Sequence, residues 1–546
     1  MEDKYKKYSR EELLRLLRER DRKPCFGLVW ERNEIEHDRS LNDDFVILEP
    51  DAALSVGDAP HHNLVIEGDN FDVLRYLRMT HSGKIKCIYI DPPYNTGNRD
   101  FIYNDRFVDK DDVYKHSKWL EFMYRRLVLA KDLLAEDGVI FASIDDNEML
   151  HLGMLMDRVF GEANRIATVI WQKVYSPKNT AMHFSDDHEY LLVYANNRDI
   201  WRPNPVPRSE AQDKAYKNTD NDPRGPWKAG DMSARNYYSE GTYPITCPSG
   251  RVITAPPSGR YWVVSESKFK ALDADNRIWW GKDSNNVPAL KRFLSEVKQG
   301  VVPQTLWRYE EVGHTQDAKK ELLDVMQFNS SAEVFSTPKP LRLIERILRI
   351  ATKPDDLVLD FFAGSGTTAH AVMKLNAEDG GKRRFILVSS TEATTAEPDK
   401  NICRDVCAER LRRVILGYGN KKGEAVEGLD GSFSYLRTRR IPAARVFNEI
   451  QHNQVWLALQ LIHGEALATY DETTKVQASG SAEARLVYVP RLTAATLKEV
   501  ERVAALGGSL TVYSWQPGQL RQRIEAGNVS FEKIPEFLVK RFGGGK

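Results

Sequence analysis

The chain has 546 residues, which predicts roughly three to four domains. Lysine and arginine total 78 and aspartate and glutamate total 78, so the formal net charge is 0, with 41% hydrophobic and 29% charged residues. This composition excludes a disordered chain, a collagen-like fibre and a disulfide scaffold, and no stretch approaches the roughly 20 apolar residues that span a bilayer. A neutral total leaves nucleic acid open as a partner, because a local basic patch is enough to contact phosphate.

The N-terminal segment is charged throughout and lacks the apolar core of a signal peptide, and the five cysteines form no C-x-x-C pair. We therefore expect a reducing, cytoplasmic location without a membrane anchor. Ser9 and Glu12 fit a capping box, and residues 1–44 are predicted to form a helical arm. Cys403 and Cys407 lie one helical turn apart without a histidine at ligand spacing, so we expect a packed helix face and no metal site.

From about residue 45 the sequence alternates between short apolar runs and helical patterns. This alternation predicts a mostly parallel sheet with crossover helices, divided between residues 45–170 and 336–419. The predicted strands of this sheet are 63–67, 86–90, 139–144, 357–361 and 384–388.

Residues 171–335 interrupt this alternation. They contain seven of the eleven tryptophans together with many prolines, glycines and asparagines. A flexible linker would not contain so many tryptophans, so we predict a folded α+β insert. After a Gly/Lys-rich break, a β-α-β pattern within residues 420–546 predicts a small C-terminal α/β domain.

The first chemically distinctive segment is Asp91-Pro92-Pro93-Tyr94, at the predicted carboxyl end of a buried strand. Ligands bind at that edge of an open parallel sheet. The two prolines fix the backbone and remove two N–H donors, which leaves the Asp91 carboxylate and the Pro92 carbonyl as acceptors beside an aromatic ring. These acceptors suit an exocyclic amine on a base, because holding its hydrogens localises its lone pair while Tyr94 stacks on the ring. Taken alone, the segment is also compatible with an ordinary strand-terminating turn.

The second segment reads D-F-F-A-G-S-G-T-T from Asp360 to Thr368. A strand, a glycine-rich turn and a helix N-terminus form an anion-tolerant site for a small cofactor. No lysine follows Gly366, which excludes a phosphate-binding P-loop, and Ala369 replaces the third glycine of the dinucleotide fingerprint. Taken alone, this segment is also compatible with a tight turn that binds nothing.

Together the two segments resemble the DNA amino-methyltransferases that use S-adenosylmethionine, in which D-P-P-Y is the catalytic motif and F-x-G-x-G-T-T the cofactor loop. The catalytic motif comes first here, which is the permuted order of the beta class of adenine methyltransferases. Over about residues 60–415, including Thr337-Pro-Lys-Pro340, the chain looks most like the modification subunits of type III restriction–modification systems. The resemblance implies a Rossmann-like methyltransferase sheet with a target-recognition domain inserted at 171–335.

The resemblance also implies roles for the matched residues. Asp91, Pro92, Pro93 and Tyr94 would form the catalytic site that binds the adenine N6 amine, and no metal ligand is implied. Many members carry an acid at the end of the strand after the cofactor loop, whereas Glu392 comes three residues late here, so the ribose-binding residue is not identified. The residues implied to bind S-adenosylmethionine are Asp69, near its adenine, Lys339, at its amino-acid end, and Asp360, Phe362, Gly364, Ser365, Gly366 and Thr367.

The implied function is site-specific methylation of adenine N6 in double-stranded DNA, by base flipping and direct in-line transfer. A homodimer and a restriction (helicase–nuclease) subunit are further expected partners. A cytosine N4 methyltransferase is a competing function, although its motif usually begins with serine rather than with an aspartate such as Asp91. A non-catalytic DNA specificity subunit, and an enzyme that acts on RNA or protein, also compete with this interpretation.

Basic and aromatic side chains of the insert are candidate DNA contacts, although each of them taken singly is more often solvated or part of a core. Arginine and asparagine can read base edges, but the sequence does not show which residues do so. The candidates are Lys173, Lys178, Arg235, Lys282, Lys291, Arg292, Tyr237, Tyr238, Trp279 and Trp280.

Overall fold

The structure is a computed structural model that divides the chain into two compact units, Met1–Arg202 with Gln304–Lys546, and Pro203–Pro303. The predicted capping box is present, with Ser9 N 2.8 Å from Glu12 Oε2 and Glu12 N 3.2 Å from Ser9 Oγ. Most of the predicted N-terminal arm lies outside the described residues. The structure describes residues 9–12, 28, 30, 43–97, 101–103, 106–107, 112, 114–177, 179–208, 213–297, 300–326, 337–394, 397–524 and 527–543.

A ten-stranded mixed sheet forms the centre of the first unit. Its order is β1-β10-β2-β9-β8-β3-β4-β6-β5-β7, and the strands from β10 to β4 are parallel neighbours. The strands are β1 Phe45–Val56, β2 Leu64–Glu67, β3 Ile85–Ile90, β4 Leu134–Ile144, β5 Arg165–Gln172, β6 His188–Ala195, β7 Leu306–Trp307, β8 Leu357–Asp360, β9 Arg384–Ser389 and β10 Phe433–Ile441.

The central strands form because they are short, nearly continuous apolar runs that are buried on both faces. In β8 all four residues are buried, and in β3 five of six are, which is the pattern of parallel strands covered by helices. The predicted α/β sheet is therefore confirmed. On one side of this parallel core, β6 pairs antiparallel with both β4 and β5.

Helices cover both faces of the sheet. The helix Leu341–Ala351 illustrates why these segments pack on the sheet. Its apolar residues Leu343, Ile344, Ile347 and Leu348 recur at helical spacing and are all buried, so they form one apolar face. No described helix has the length and apolarity that a membrane span requires. The helices of the first unit are Asn70–His81, Lys115–Leu133, Met149–Phe160, Tyr309–Val312, Thr315–Met326, Leu341–Ala351, Thr367–Asp379, Glu409–Leu416, Val446–Glu449, His452–His463, Ala494–Ala504, Pro517–Arg523 and Glu536–Phe542.

The second unit, Pro203–Pro303, has its own small core. It combines the helix Glu266–Ala274 with short antiparallel pairings, so it is the α+β fold predicted for the insert, but its bounds are narrower than 171–335. Its core consists of Met232, Tyr243, Ile245, Cys247, Trp262, Phe269, Ile278 and Trp280, and its strands are Trp227–Asp231, Ser233–Ala234, Ile245–Thr246, Val252–Ile253, Tyr261–Trp262, Ile278–Trp279 and Ala289–Phe293.

The C-terminal region divides between two sheets. Residues 433–441 form β10, which inserts between β1 and β2 of the central sheet. The predicted β-α-β unit is present as Ala484–Val489, Ala494–Ala504 and Ser509–Ser514, with its two strands parallel. Strands Gln477–Gly480 and Val529–Lys533 complete that smaller sheet. The predicted 420–546 domain thus contributes one strand to the main sheet and packs in the same compact unit.

Candidate active site

The two distinctive segments meet because β8 and β3 are parallel neighbours. Val358 pairs with Cys87 and Leu359 with Ile88, so both strands end at the same edge of the sheet. Asp360 ends β8, and Asp91 directly follows β3. This shared carboxyl edge is where an open parallel sheet binds ligands.

Lys339 occupies the centre of this edge. Its Nζ lies 2.6 Å and 2.7 Å from the two carboxylate oxygens of Asp91, and 5.0 Å from the centre of the Tyr94 ring. The Tyr94 hydroxyl donates to Asp91 Oδ1 at 2.9 Å. The structure therefore places the ammonium of the T-P-K-P segment against the D-P-P-Y carboxylate, whereas the resemblance implies a position at the cofactor's amino-acid end.

A second carboxylate completes this cluster. Glu189 in β6 accepts the Tyr94 hydroxyl at 3.0 Å and Lys173 Nζ at 3.0 Å, and lies 3.7 Å from Lys339 Nζ. The sequence did not predict a role for Glu189, because its partners come from distant segments of the chain. Lys173, a candidate DNA contact, is ion-paired with Glu189 in this structure.

The charges in this cluster balance one another. Burial raises the pKa of Asp91 above its ordinary value, and the Lys339 ammonium acts against that shift. Burial alone would lower the pKa of Lys339, but the Asp91 and Glu189 carboxylates raise it above its ordinary value. Burial also raises the pKa of Tyr94 far above its usual range, so its hydroxyl remains a donor.

The D-P-P-Y backbone is fixed from one side. Trp119 Nε1 donates to the Pro93 carbonyl at 2.7 Å from the buried face of helix Lys115–Leu133. No donor from the described part of the chain reaches the Pro92 carbonyl, so that oxygen can accept a hydrogen from a ligand. Asp91 and the Pro92 carbonyl are therefore adjacent acceptors in this segment, and their joint binding of an amine stays a prediction.

The glycine loop takes the backbone conformation that its sequence requires. Gly364 and Gly366 have φ of 49° and 75°, which L side chains rarely adopt. Arg410, fully buried, donates to Thr367 Oγ1 at 2.8 Å and to Ser365 Oγ at 3.2 Å. Burial lowers the pKa of Arg410 to about 10. Arg410 therefore stabilises the conformation of the glycine loop through these side-chain hydrogen bonds. The sequence did not predict this role, because Arg410 is distant from the loop along the chain.

Asp360 is buried at the start of this loop and behaves differently from an exposed aspartate. It accepts hydrogen bonds from Thr368 Oγ1 at 2.5 Å and from Phe362 N at 3.0 Å. Burial raises its pKa to about 7 despite these bonds, and the nearby Asp91 charge acts in the same direction as burial. Asp360 therefore orders the turn, and it titrates close to neutral pH.

The predicted adenine end of the cofactor site lies next to the loop. Asp69 caps helix Asn70–His81 by accepting Phe71 N at 2.8 Å, and its other oxygen lies 3.2 Å from Arg126 Nη2. Asn70 Nδ2 donates to the Phe361 carbonyl at 2.9 Å. This contact joins the segment of residues 67–70 to the glycine loop and brings Asp69 and Phe362 to one region of the sheet edge.

The strand that follows the loop ends without an acid. Ser389 closes β9, and Glu392 is ion-paired with Lys400 at 3.0 Å. Glu67 pairs opposite Ser389 across β2 and β9, and it accepts Asn401 Nδ2 at 2.9 Å. The acid that many family members carry on this strand is thus replaced by a serine, with a carboxylate on the neighbouring strand.

The outcome for the candidate DNA contacts is mixed. Lys291 is not available, because it is 1% exposed and lies 2.5 Å from Asp220 and 3.2 Å from Asp222. Trp280 is buried in the core of the second unit, whereas Arg235 and Tyr237 are exposed. Lys178 lies outside the described residues.

An open groove of about 690 Å³ runs along the β5–β7 edge of the first unit. Gln172, Tyr175, His188, Arg308 and Tyr309 are among its lining residues. Gln172 and His188 directly precede Lys173 and Glu189 of the cluster described above. Along the chain, the groove therefore adjoins the ion pair of Lys173 with Glu189.

Comparison with known proteins agrees with this arrangement. The profile of a family described as DNA methylase (N6_N4_Mtase) matches residues 85–395, more than half of the chain. The chain belongs to the DNA methylase family. This membership and the central sheet confirm the predicted Rossmann-like methyltransferase fold with the D-P-P-Y segment before the glycine loop.

Individual curated relatives show how far along the chain the similarity extends. The StyLTI Mod subunit of a type III restriction–modification enzyme from Salmonella typhimurium is 38% identical over 65% of this chain and 57% of its own length. The EcoPI Mod subunit from Escherichia phage P1 is 34% identical over 60% and 58%. The type II methyltransferase M1.MboII from Moraxella bovis is 50% identical over 57% of this chain and 92% of its own length. The match thus spans little more than half of these two Mod subunits.

Proposed function

We propose that this member of the DNA methylase family transfers a methyl group from S-adenosylmethionine to the N6 amine of adenine in double-stranded DNA. The observation that carries the proposal is the position of Asp91 and Asp360 at the ends of neighbouring parallel strands. This position brings an amine-binding segment and a glycine loop to one edge, as the family's two motifs require.

The residues present fit the cofactor. Gly364 and Gly366 keep the loop backbone free of side chains at positive φ, and helix Thr367–Asp379 directs its N-terminus to the same edge. Asp69 offers a carboxylate that is 38% exposed. When bound, S-adenosylmethionine supplies an electrophilic methyl group on its sulfonium. Asp69, Phe362 and the glycine loop would hold it.

The contribution of the D-P-P-Y residues follows from their geometry. With the base flipped out of the duplex, the Asp91 carboxylate and the Pro92 carbonyl accept the two hydrogens of the amine and direct its lone pair. The Tyr94 ring stacks on the base while Glu189 holds its hydroxyl. Positioning of this kind, rather than a strong base, supplies most of the rate.

Lys339 occupies the position that we propose for the substrate amine. Its ammonium donates to both Asp91 oxygens and faces the Tyr94 ring, which are the groups that would receive the base. Lys339 must therefore move aside when the base enters. Until then it keeps Asp91 ionised and oriented.

The pH dependence of activity should change in Lys339→Met. The cation that opposes the burial shift is gone in this variant, so the pKa of Asp91 rises further. The ionised Asp91 carboxylate is a stronger acceptor than the protonated acid, so activity falls as pH falls through that pKa. We expect the acidic limb of the kcat/KM profile, which reports groups of the free enzyme, to move to higher pH, with Lys374→Met, which breaks a remote pair with Glu345, as the control. An unchanged acidic limb in Lys339→Met would contradict the proposed effect.

Adenine is favoured over cytosine because the motif begins with Asp91 rather than serine. The direct test is to incubate the purified chain with labelled S-adenosylmethionine and duplex DNA, and then to sequence the DNA with detection of modified bases. N6-methyladenine supports the proposal. N4-methylcytosine would show a cytosine N4 methyltransferase instead, and the absence of any methylated base would favour the non-catalytic specificity subunit.

We further propose that Pro203–Pro303, within the predicted 171–335 insert, selects the target sequence. Exchanging this compact unit for the corresponding unit of a relative should change the methylated sequence, because a few side chains at base edges carry the choice, each contributing about 1–3 kcal/mol. Sequencing with detection of modified bases would show the new site. A chimera that binds cofactor and methylates the original sequence would place recognition elsewhere in the chain.

We also propose that the chain is the modification subunit of a type III restriction–modification system. The proposal rests on the similarity to Mod subunits, whose matched share is 57% and 58% of their length. The homodimer, the helicase–nuclease partner and the cytoplasmic location stay predictions. Co-purification with a helicase–nuclease encoded beside this chain is the test of the partner.

A further inference from the structure

Three side chains outside the amine site lie close together beside the loop that follows D-P-P-Y. His116 Nδ1 lies 2.6 Å from Glu148 Oε1, and His151 Nδ1 lies 2.7 Å from Glu148 Oε2. One ligand atom from each of the three residues lies within 4.8 Å of the other two. The cluster joins the first turn of helix Lys115–Leu133 to the first turn of helix Met149–Phe160.

The charge of Glu148 is the unusual feature of this cluster. Its side chain is 0% exposed, and a buried carboxylate requires a compensating positive charge or strong hydrogen bonds. In the described ranges no lysine or arginine forms an ion pair with Glu148. Its partners are the two imidazoles and the Asn95 amide, which donates to Oε1 at 2.6 Å.

The two histidines are open to solvent on the other side. The side chains of His116 and His151 are 43% and 38% exposed, and their ring centres are 4.9 Å apart. A cation can therefore reach the cluster without unfolding of the surrounding helices. Two imidazoles with one carboxylate form a ligand set typical of zinc and related ions, with water in the remaining position.

We propose that His116, Glu148 and His151 bind one divalent transition-metal ion of the zinc type. The ion would supply a positive charge beside the buried Glu148 carboxylate, and each histidine would bind it through an unprotonated ring nitrogen. Asn95 would orient the ligand carboxylate through its hydrogen bond. This site departs from the expectation of no metal, which rested on the spacing of the cysteines and on the family resemblance.

The site has a structural consequence for the catalytic loop. Asn95 directly follows Tyr94, has φ of 57° and is buried, so its bond to Glu148 fixes the end of the D-P-P-Y turn. The ion would tie that turn to helix Met149–Phe160. It would act as a positioning element and would not contact the reacting amine.

Metal binding to the full chain, stripped with EDTA, tests the proposal without DNA or cofactor, so its result does not depend on the proposed function. Calorimetry with Zn²⁺ should show one equivalent bound. His116→Ala and His151→Ala should each weaken binding at least about 100-fold, the upper end of the cost of losing a group that only orients a ligand. His62→Ala removes an exposed histidine outside the cluster and should bind like wild type.

Co²⁺ absorption identifies the ligands independently of the variants. Histidine and carboxylate ligation gives d–d bands without a thiolate charge-transfer band. A thiolate band would place the ion at a cysteine and overturn the proposal. So would the absence of saturable one-to-one Zn²⁺ binding by the wild type, or wild-type binding by the two alanine variants with unchanged circular dichroism.

Discussion

Replacing Asp91 by alanine is expected to reduce the rate of methyl transfer by at least about 10²–10³-fold, comparable to the loss of one preorganised group at a reaction centre. Asp91 supplies one of the two acceptors for the amine, and the Pro92 carbonyl alone cannot orient both hydrogens. The variant also leaves the Lys339 ammonium with Glu189 alone, at 3.7 Å. Binding of S-adenosylmethionine should change little, because the glycine loop and Asp69 are untouched. Single-turnover kinetics and calorimetry measure the two effects separately.

A control pair involves the same strand, β3. Asp137, near the start of β4, pairs with Lys86 Nζ of β3 at 2.5 Å, at the edge of the sheet opposite the site. Asp137→Ala also breaks an aspartate–lysine pair, and the Asp137 side chain is 45% exposed. This variant should leave turnover unchanged. If Asp91→Ala folds and keeps near wild-type turnover on cognate DNA, Asp91 does not hold the amine.

The sequence predicts those parts of the fold that depend on interactions between residues close together along the chain. Strands such as β3 and β8 are short apolar runs between polar turns, and the helix from Thr367 begins at the glycine that its loop requires. These features depend on neighbouring residues alone. The edge at which the two motifs meet could also be predicted, because parallel strands end together.

The sequence is less informative where the partners are distant along the chain. The position of Lys339 against Asp91 depends on how the T-P-K-P segment crosses the sheet edge. The burial of Lys291 depends on Asp220 and Asp222 across a loop, so its charge alone suggested a surface contact. Each of these positions is set by tertiary packing, and a single sequence does not reveal it.

In the C-terminal region, too, the sequence predicts a local pattern but not the distant partners of a strand. The segment 433–441 is apolar in its first half and carries three arginines in its second half, so it could not be assigned to the main sheet from its pattern. Its arginines pair with acids on neighbouring elements, among them Arg439 with Glu49 of β1 and Arg440 with Asp72. All three arginines are therefore engaged in ion pairs within the first unit.

The second large effect is expected for Gly366→Val, which should weaken S-adenosylmethionine binding more than about 100-fold, or about 2.7 kcal/mol, and also lower the melting temperature. A Cβ at Gly366, whose φ is 75°, would lie 3.1 Å from Cys407 Sγ and 3.3 Å from the Cys407 carbonyl. Valine would therefore push the glycine loop away from the helical segment Cys403–Ala408. That shift would also disturb the hydrogen bonds that Arg410 donates to the glycine loop.

Gly380 provides the comparison that separates crowding from backbone strain. It ends the same helix with φ of 69°, and a Cβ there would meet nothing within 4 Å. Gly380→Val therefore carries a similar left-handed strain, roughly 1–2 kcal/mol, without disturbing the loop, and should bind S-adenosylmethionine like wild type. Calorimetric titration and thermal unfolding of both variants give the comparison. Cofactor affinity within about threefold of wild type in a folded Gly366→Val protein, a difference below about 1 kcal/mol, would mean that the glycine loop does not form the cofactor site.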